Sequence, residues 1–419
     1  MQEVVYFMDG AKVKTFLQGQ FANYVKDLEA LTNIDSGNGD PEGTDRAARF
    51  VGEKLQALGA AIEYRTNPRS THLIARLKGK GTFRLLMIAH VDTVFGKGEA
   101  AKRPFRLDEN NIAYGPGVGD DKATVIQTIY AMKTLQEFGF DSFGEIILYY
   151  NGEEEGGSPT ALEIVAELSP QADVAILMDT ARPGWGIVTQ RKGSANYDIK
   201  VEGISGHAGN APHSCASAIM ELGNQISLLY KLASPLPENP HEYTREALQQ
   251  KGIVDHGQFI PPNAINVGVI GSSNDRINVI PGDAFAKLNV RCYTVAEQER
   301  LDRAIKDLPN QTVVPGVKVT VTGGIHTGPM EKTAQVQKLV DVYKNIVRRE
   351  YDAEVIEWMA GGLTDGNRTA KFIPTIDALG VENYEEHTDH EYVDLNTAVP
   401  RTVALVLLMA EITESWPIE

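Results

Sequence analysis

Residues 84–92 read RLLMIAHVD, and residues 145–155 read EIILYYNGEEE. In each, five consecutive apolar residues end abruptly in polar groups. Apolar runs without polar alternation fit strands buried on both faces of a sheet. HLIARL (residues 72–77) and ADVAILMD (residues 172–179) have the same texture. Between and around these runs lie stretches with apolar residues at helical spacing: 16–32, 45–58, 122–138 and 158–168. The second of these stops at Gly59, a residue suited to ending a helix. Apolar strands separated by helices predict an α/β fold with a mostly parallel sheet covered on both sides.

From about residue 190 the pattern changes. NYDIKVEG (196–203) alternates as a half-buried strand, and 216–232 is helical. AINVGVIGS and AFAKLNVRCY follow as strands, then a helix over 295–308 and the strand VKVTVTG. The order β-α-β-β-α-β is that of a ferredoxin-like unit. The expected architecture is a catalytic-type α/β domain over residues 1–190 and 324–419, interrupted by an inserted α+β domain over 191–323. Residues 234–262, rich in proline and polar side chains, are expected to form a long loop within the insert.

The chain has 419 residues, 42% hydrophobic and 23% charged, with a formal net charge of -16. That length favours two domains. The acidic balance argues against nucleic acid and against anionic membrane as partners. Two cysteines far apart, Cys215 and Cys292, exclude a thiolate zinc site and a disulfide framework. No apolar run approaches the roughly 20 residues that span a bilayer. MQEVVYFMDG has no signal-peptide pattern, so a cytoplasmic location is expected, or a periplasmic one if the chain is a processed form.

Five clusters carry chemistry. His90 ends an apolar strand with Asp92 two residues on; a strand's carboxyl end is where α/β sheets gather ligands, and a neighbouring acid can orient a metal-binding imidazole. YGPGVGDDKATV brings Asp120 and Asp121 to the start of a helix, where capping alone would account for one Asp. Three glutamates, Glu153 to Glu155, follow an Asn-Gly turn. A charge run is commonly plain surface, whereas a metal site needs two of them, one as ligand and one as an unbound base. Asp179 closes another apolar strand, and in EEHTDHEYVD both His387 and His390 compete as ligands. Imidazole and carboxylate together suit zinc.

The set HVDTV, GPGVGDDK, NGEEEGGS, MDTARP, SGHAG, NVIPG, LNVR, GGLTDG and EHTDHEYVD resembles the co-catalytic zinc exopeptidases and deacylases. That family includes glutamate carboxypeptidase, acetylornithine deacetylase, aminoacylase and tripeptidase. LEALTNIDSGNGDPEGT (residues 28–44) is most similar to the bacterial folate-cleaving glutamate carboxypeptidases. The resemblance implies two Zn2+ ions, with Mn2+ or Co2+ as substitutes. It implies metal ligands His90, Asp120 (bridging), Glu154, Asp179 and His387, with His390 a bystander. Asp92 would orient His90, and Glu153 would be the general base. His207 would reach a partner subunit's site and polarise the scissile carbonyl, with Arg291 clamping a substrate carboxylate. Asn278, Gly361 and Gly362 would contact substrate. The implied reaction is hydrolysis of an amide bond next to a C-terminal amino acid, on a small peptide or an N-acyl amino acid, by a homodimer. Asp179 departs from the folate-cleaving type, which has Glu there, and is more typical of the aminopeptidase and dipeptidase branches. A free-amine aminopeptidase or dipeptidase is therefore the alternative activity, and a catalytically silent metal-binding relative comes third.

Overall fold

The computed structural model describes residues 8–210, 212–233 and 263–417. The proline-rich stretch 234–262, expected to be a loop, lies outside the described residues. Two compact units emerge: residues 1–189, 332–358 and 364–419 form one, residues 190–331 and 359–363 the other.

The first unit is built on a six-stranded sheet in the order Ala61–Thr66, Thr71–Lys78, Glu145–Asn151, Arg84–His90, Val174–Leu177, Thr375–Ile376. The last four strands pair parallel, and the first two join as an antiparallel edge. The sheet is thus mostly parallel, as the unalternating apolar runs required. Successive residues of one strand feed two cores. Leu85, Met87 and Ala89 pack with the helices Gly10–Thr32, Pro41–Ala57, Ala123–Glu137, Ala334–Tyr351 and Ala398–Ser415. Leu86 and Ile88 face the opposite layer, built on the helix Ala161–Leu168. The same split divides Ile146, Leu148 and Tyr150 from Ile147 and Tyr149. A strand with side chains alternating between two dry faces must be apolar at every position.

The second unit is a four-stranded antiparallel sheet in the order Asn263–Gly271, Asp283–Cys292, Gly193–Glu202, Lys318–Thr327. The helices Ala218–Leu232 and Val295–Lys306 cover one face. Along Asp283–Cys292 the buried residues are Ala284, Ala286, Leu288, Val290 and Cys292. Phe285, Lys287, Asn289 and Arg291 occupy the other face, the alternation expected of a sheet covered on one side. Among the described residues, no helix is long and apolar enough to cross a membrane.

Candidate active site

The carboxyl ends of the parallel strands converge. His90 is the last residue of its strand and pairs in register with Asn151, after which the chain turns into the three glutamates. Asp179 lies just beyond Val174–Leu177. Asp92 is fully buried and ties two of these ends together. Its Oδ1 accepts the Glu154 N–H at 2.9 Å; its Oδ2 accepts the Glu155 N–H and the Asn38 amide, both at 3.1 Å. Asp92 Oδ1 also stands 3.5 Å from His90 Nδ1, and the Asp92 carbonyl 3.1 Å from it. The His90 ring is thereby turned so that Nε2 points the other way, into the site.

Nε2 meets the Asp120 carboxylate. Asp120 Oδ1 lies 2.9 Å from His90 Nε2, and Oδ2 lies 3.1 Å from His387 Nε2. Asp120 caps no helix: the first residue before Ala123–Glu137 is Lys122, and no side chain caps that end. The peptide between Asp120 and Asp121 is cis. Asp121 points backward, where its Oδ2 accepts the His90 N–H at 3.2 Å. His387 sits in the turn between the short strands Asn383–Tyr384 and Tyr392–Asp394. A row of aromatic rings runs across this hairpin. Tyr384 lies 5.0 Å from Tyr392, Tyr392 lies 5.8 Å from Tyr114, and the Arg106 guanidinium caps Tyr114 at 3.8 Å.

The glutamate run does not sit as the resemblance implied; the structure shifts it by one residue. Glu155, not Glu154, stands beside His387, with Oε2 3.4 Å from Nε2. One ligand atom each from His90, Asp120 and Glu155 fall within 4.8 Å of one another. Glu154 lines a cavity of about 20 Å³ with His90, Asp121, Asp179, Thr364 and Asp365, room for a water or an ion. Glu153 is fully buried and turned away. Its Oε1 accepts the Thr160 N–H at 2.5 Å, the Thr160 hydroxyl at 2.8 Å and the Ala161 N–H at 3.2 Å. A carboxylate spent on three such donors at the start of Ala161–Leu168 has no geometry for taking a proton from a water beside His90.

The electrostatics test whether a cation fits. Burial pushes the Glu154 carboxyl well up, and Asp365, Asp179 and Asp92 add to it. Burial also lifts Glu155, to about 7, with Asp120 and Asp92 contributing. Asp120 goes the other way: burial would raise it, but the bonds from His387 and His90 hold it well below the usual range. The bond to Asp120 raises His387 to about 9. Oε1 of Glu155 and Oδ1 of Asp121 are buried with no hydrogen-bond partner among the described residues. Acids crowded around two imidazoles, some with orphaned oxygens, suit a pair of divalent cations in both donor type and charge.

The comparisons name the fold's relatives. Residues 86–411 match peptidase family M20/M25/M40. The chain belongs to that family. It is an enzyme, a metallohydrolase. Among this peptidase family's members, carboxypeptidase G2 of Pseudomonas sp. (strain RS-16) is 30% identical over 394 residues, covering 90% of this chain and 86% of that protein. Succinyl-diaminopimelate desuccinylase of Ehrlichia canis is 26% identical over 341 residues, covering 78% and 81%. The solved structure of aminopeptidase PepT from Bacillus cereus superposes with a TM-score of 0.71 at 19% identity, covering 94% and 98%, a likeness of fold.

The other five expected residues of this M20-type chain lie in the second unit. His207 is exposed in a two-stranded pairing opposite Val279, and its Nδ1 accepts the N–H groups of Gly209 and Asn210 at 3.2 Å. The Asn278 carbonyl accepts the Ala208 N–H at 3.0 Å, so these two residues are neighbours. Arg291 Nε donates to the Asn289 Oδ1 at 2.9 Å. Burial lowers the Arg291 pKa, and no carboxylate among the described residues pairs with it. Gly361 and Gly362 are exposed with open space where a Cβ would stand.

One residue of the first unit had no signal in the sequence reading. Glu391 is buried, and its two oxygens accept the N–H groups of Gly117, Gly119 and Asp120, each at 2.9 Å. It fixes the backbone from which Asp120 projects. Burial pushes its carboxyl up to about 7. A glutamate four residues after His387, in a run already rich in acids, carries no mark of that duty in the sequence. Lys122 is similar: fully withdrawn from solvent, its Nζ donates to the carbonyls of Thr32, Ile34 and Pro116.

Proposed function

We propose that this metallohydrolase cleaves an amide bond next to a C-terminal amino acid, as a glutamate carboxypeptidase or an N-acyl amino acid hydrolase does. The observation that carries it is the Asp120 carboxylate held between His90 and His387 with Glu155 beside them, in a chain 30% identical to carboxypeptidase G2 over nearly its whole length. His90 and Asp179 would hold one metal, His387 and Glu155 the other, with Asp120 between; zinc fits these donors. Two bound cations acidify a water and polarise a carbonyl. Glu154, which takes the role first expected of Glu153, accepts a proton at its carboxylate and returns it to the leaving nitrogen. Arg291 presents a fork suited to a substrate carboxylate, and His207 and Asn278 supply polar groups from the same unit. A homodimer is the proposed assembly.

The test is hydrolysis by zinc-loaded protein, with and without chelator, of N-benzoyl-glutamate against a free-amine dipeptide and tripeptide. Chelator-sensitive cleavage of the N-blocked compound alone supports the proposal. Cleavage of the free-amine peptides alone replaces it with an aminopeptidase or dipeptidase, the activity that Asp179 favours.

A further inference from the structure

We propose that Glu153 is a positioning residue: through Thr160 and His72 it sets the 151–161 turn so that Glu154 and Glu155 point into the site. This rests on the assignment of Glu154 as base and Glu155 as ligand, and adds what holds them there.

The bonds form a directed chain. The Gly152 N–H can only donate, and it points at His72 Nδ1 from 3.2 Å. The Tyr149 hydroxyl lies 3.0 Å from the same nitrogen. Nδ1 is therefore the acceptor. Burial keeps the His72 ring neutral by lowering its pKa, so the ring hydrogen sits on Nε2. Nε2 lies 3.0 Å from the Thr160 hydroxyl oxygen, which also accepts from the Asn67 amide at 3.0 Å. The Thr160 hydroxyl then has its own hydrogen for Glu153 Oε1. The links from the Gly152 N–H through His72 and the Thr160 hydroxyl to Glu153 Oε1 thus all run in one direction.

The main chain of Glu153 completes the turn. Its N–H donates to the Asn151 Oδ1 at 3.0 Å, and its carbonyl accepts Gly156 N–H at 3.2 Å and Ser158 N–H at 2.9 Å. One residue thus fastens both ends of the turn, and Asp92 fastens its middle through the Glu154 and Glu155 N–H groups. Those bonds fix the backbone from which Glu154 and Glu155 project. The Glu153 side chain accepts all three of its hydrogen bonds on Oε1, and its Oε2 is buried with no partner among the described residues. Glu153→Gln can keep that accepting oxygen and put its amide where Oε2 was. Glu153→Ala cannot.

The experiment compares Glu153→Gln, Glu153→Ala, Thr160→Val and Glu154→Gln in the full chain, reading kcat, KM and a zinc-binding isotherm. Glu153→Ala is expected to lose about 10–100-fold in kcat with KM nearly unmoved, and to bind one zinc equivalent about 10–100-fold more weakly. Glu153→Gln should restore most of both, and Thr160→Val should fall between. A wild-type kcat and isotherm in Glu153→Ala would overturn the inference. So would a dead Glu153→Gln that still binds both metals, because Glu153 would then be a base. If Glu153→Ala does not fold, Thr160→Val decides, since it keeps the backbone donors and loses only the hydroxyl link. An active Glu154→Gln would sink the base assignment alone, and the isotherms of the Glu153 variants would still read the positioning role.

Discussion

At residue scale, Glu154 and Glu391 make different demands on the same kind of side chain. Glu154 faces a small cavity shared with His90 and Asp179, and the role proposed for it lies in its proton. Glu154→Gln should keep both metals and lose about 10²–10⁴-fold in kcat, the usual worth of a positioned base, as measured by steady-state kinetics beside metal analysis. Glu391 never meets a substrate; it accepts three N–H groups of the Gly117–Asp120 backbone. In Glu391→Gln an amide must face one of those N–H groups, donor against donor. Metal affinity should fall about 10–100-fold, seen in a competition titration with a chromophoric chelator. Unchanged affinity would mean that Asp120 needs no such support.

At the scale of elements, the two sheets demand different sequences. Ile147 and Leu148 are adjacent and point into separate cores. Truncating either to Ala should cost about 2–5 kcal/mol by denaturant unfolding. In the strand Asp283–Cys292 the same pair of changes should split: Leu288→Ala is costly, and Lys287→Ala, at an exposed position, is nearly neutral, within about 0.5 kcal/mol. These patterns were legible because burial has a period along a strand. The register of Glu153, Glu154 and Glu155 was not. Three identical side chains in a turn have no period, and what sorts them is the start of the helix Ala161–Leu168 and the Asp92 carboxylate, neither of which is local in the way a strand pattern is.

At the scale of the whole molecule, the metal centre couples proton and metal binding. Without metal, the bond to Asp120 raises His387 from 6.5 to about 9. That ion pair contributes stability fully present below about pH 6.5 and lost as pH rises through about 9. Metal binding needs the opposite, a neutral His387 and an ionised Glu155, itself lifted by burial to about 7. The gap in Tm between zinc-loaded and chelated protein should therefore widen from pH 6 toward pH 9, with protons released on binding, measured by calorimetry in buffers of different ionisation enthalpy. A gap that is flat or narrows with pH would contradict the His387–Asp120–Glu155 cluster as the metal seat.

The sequence by itself determined the α/β class, the inserted antiparallel unit, the strand ends that carry His90 and Asp179, and the helix-start and loop motifs that carry Asp120 and His387. Apolar periodicity and abrupt strand ends are properties of consecutive residues, so they survive reading in one dimension. The tertiary structure alone decided which glutamate stands beside His387 and which is spent on a helix start. It alone gave Glu391 and Lys122 their backbone partners. A buried carboxylate goes where its N–H donors are, and those donors come from residues distant in the chain or across a turn, brought together only when the strands are laid side by side.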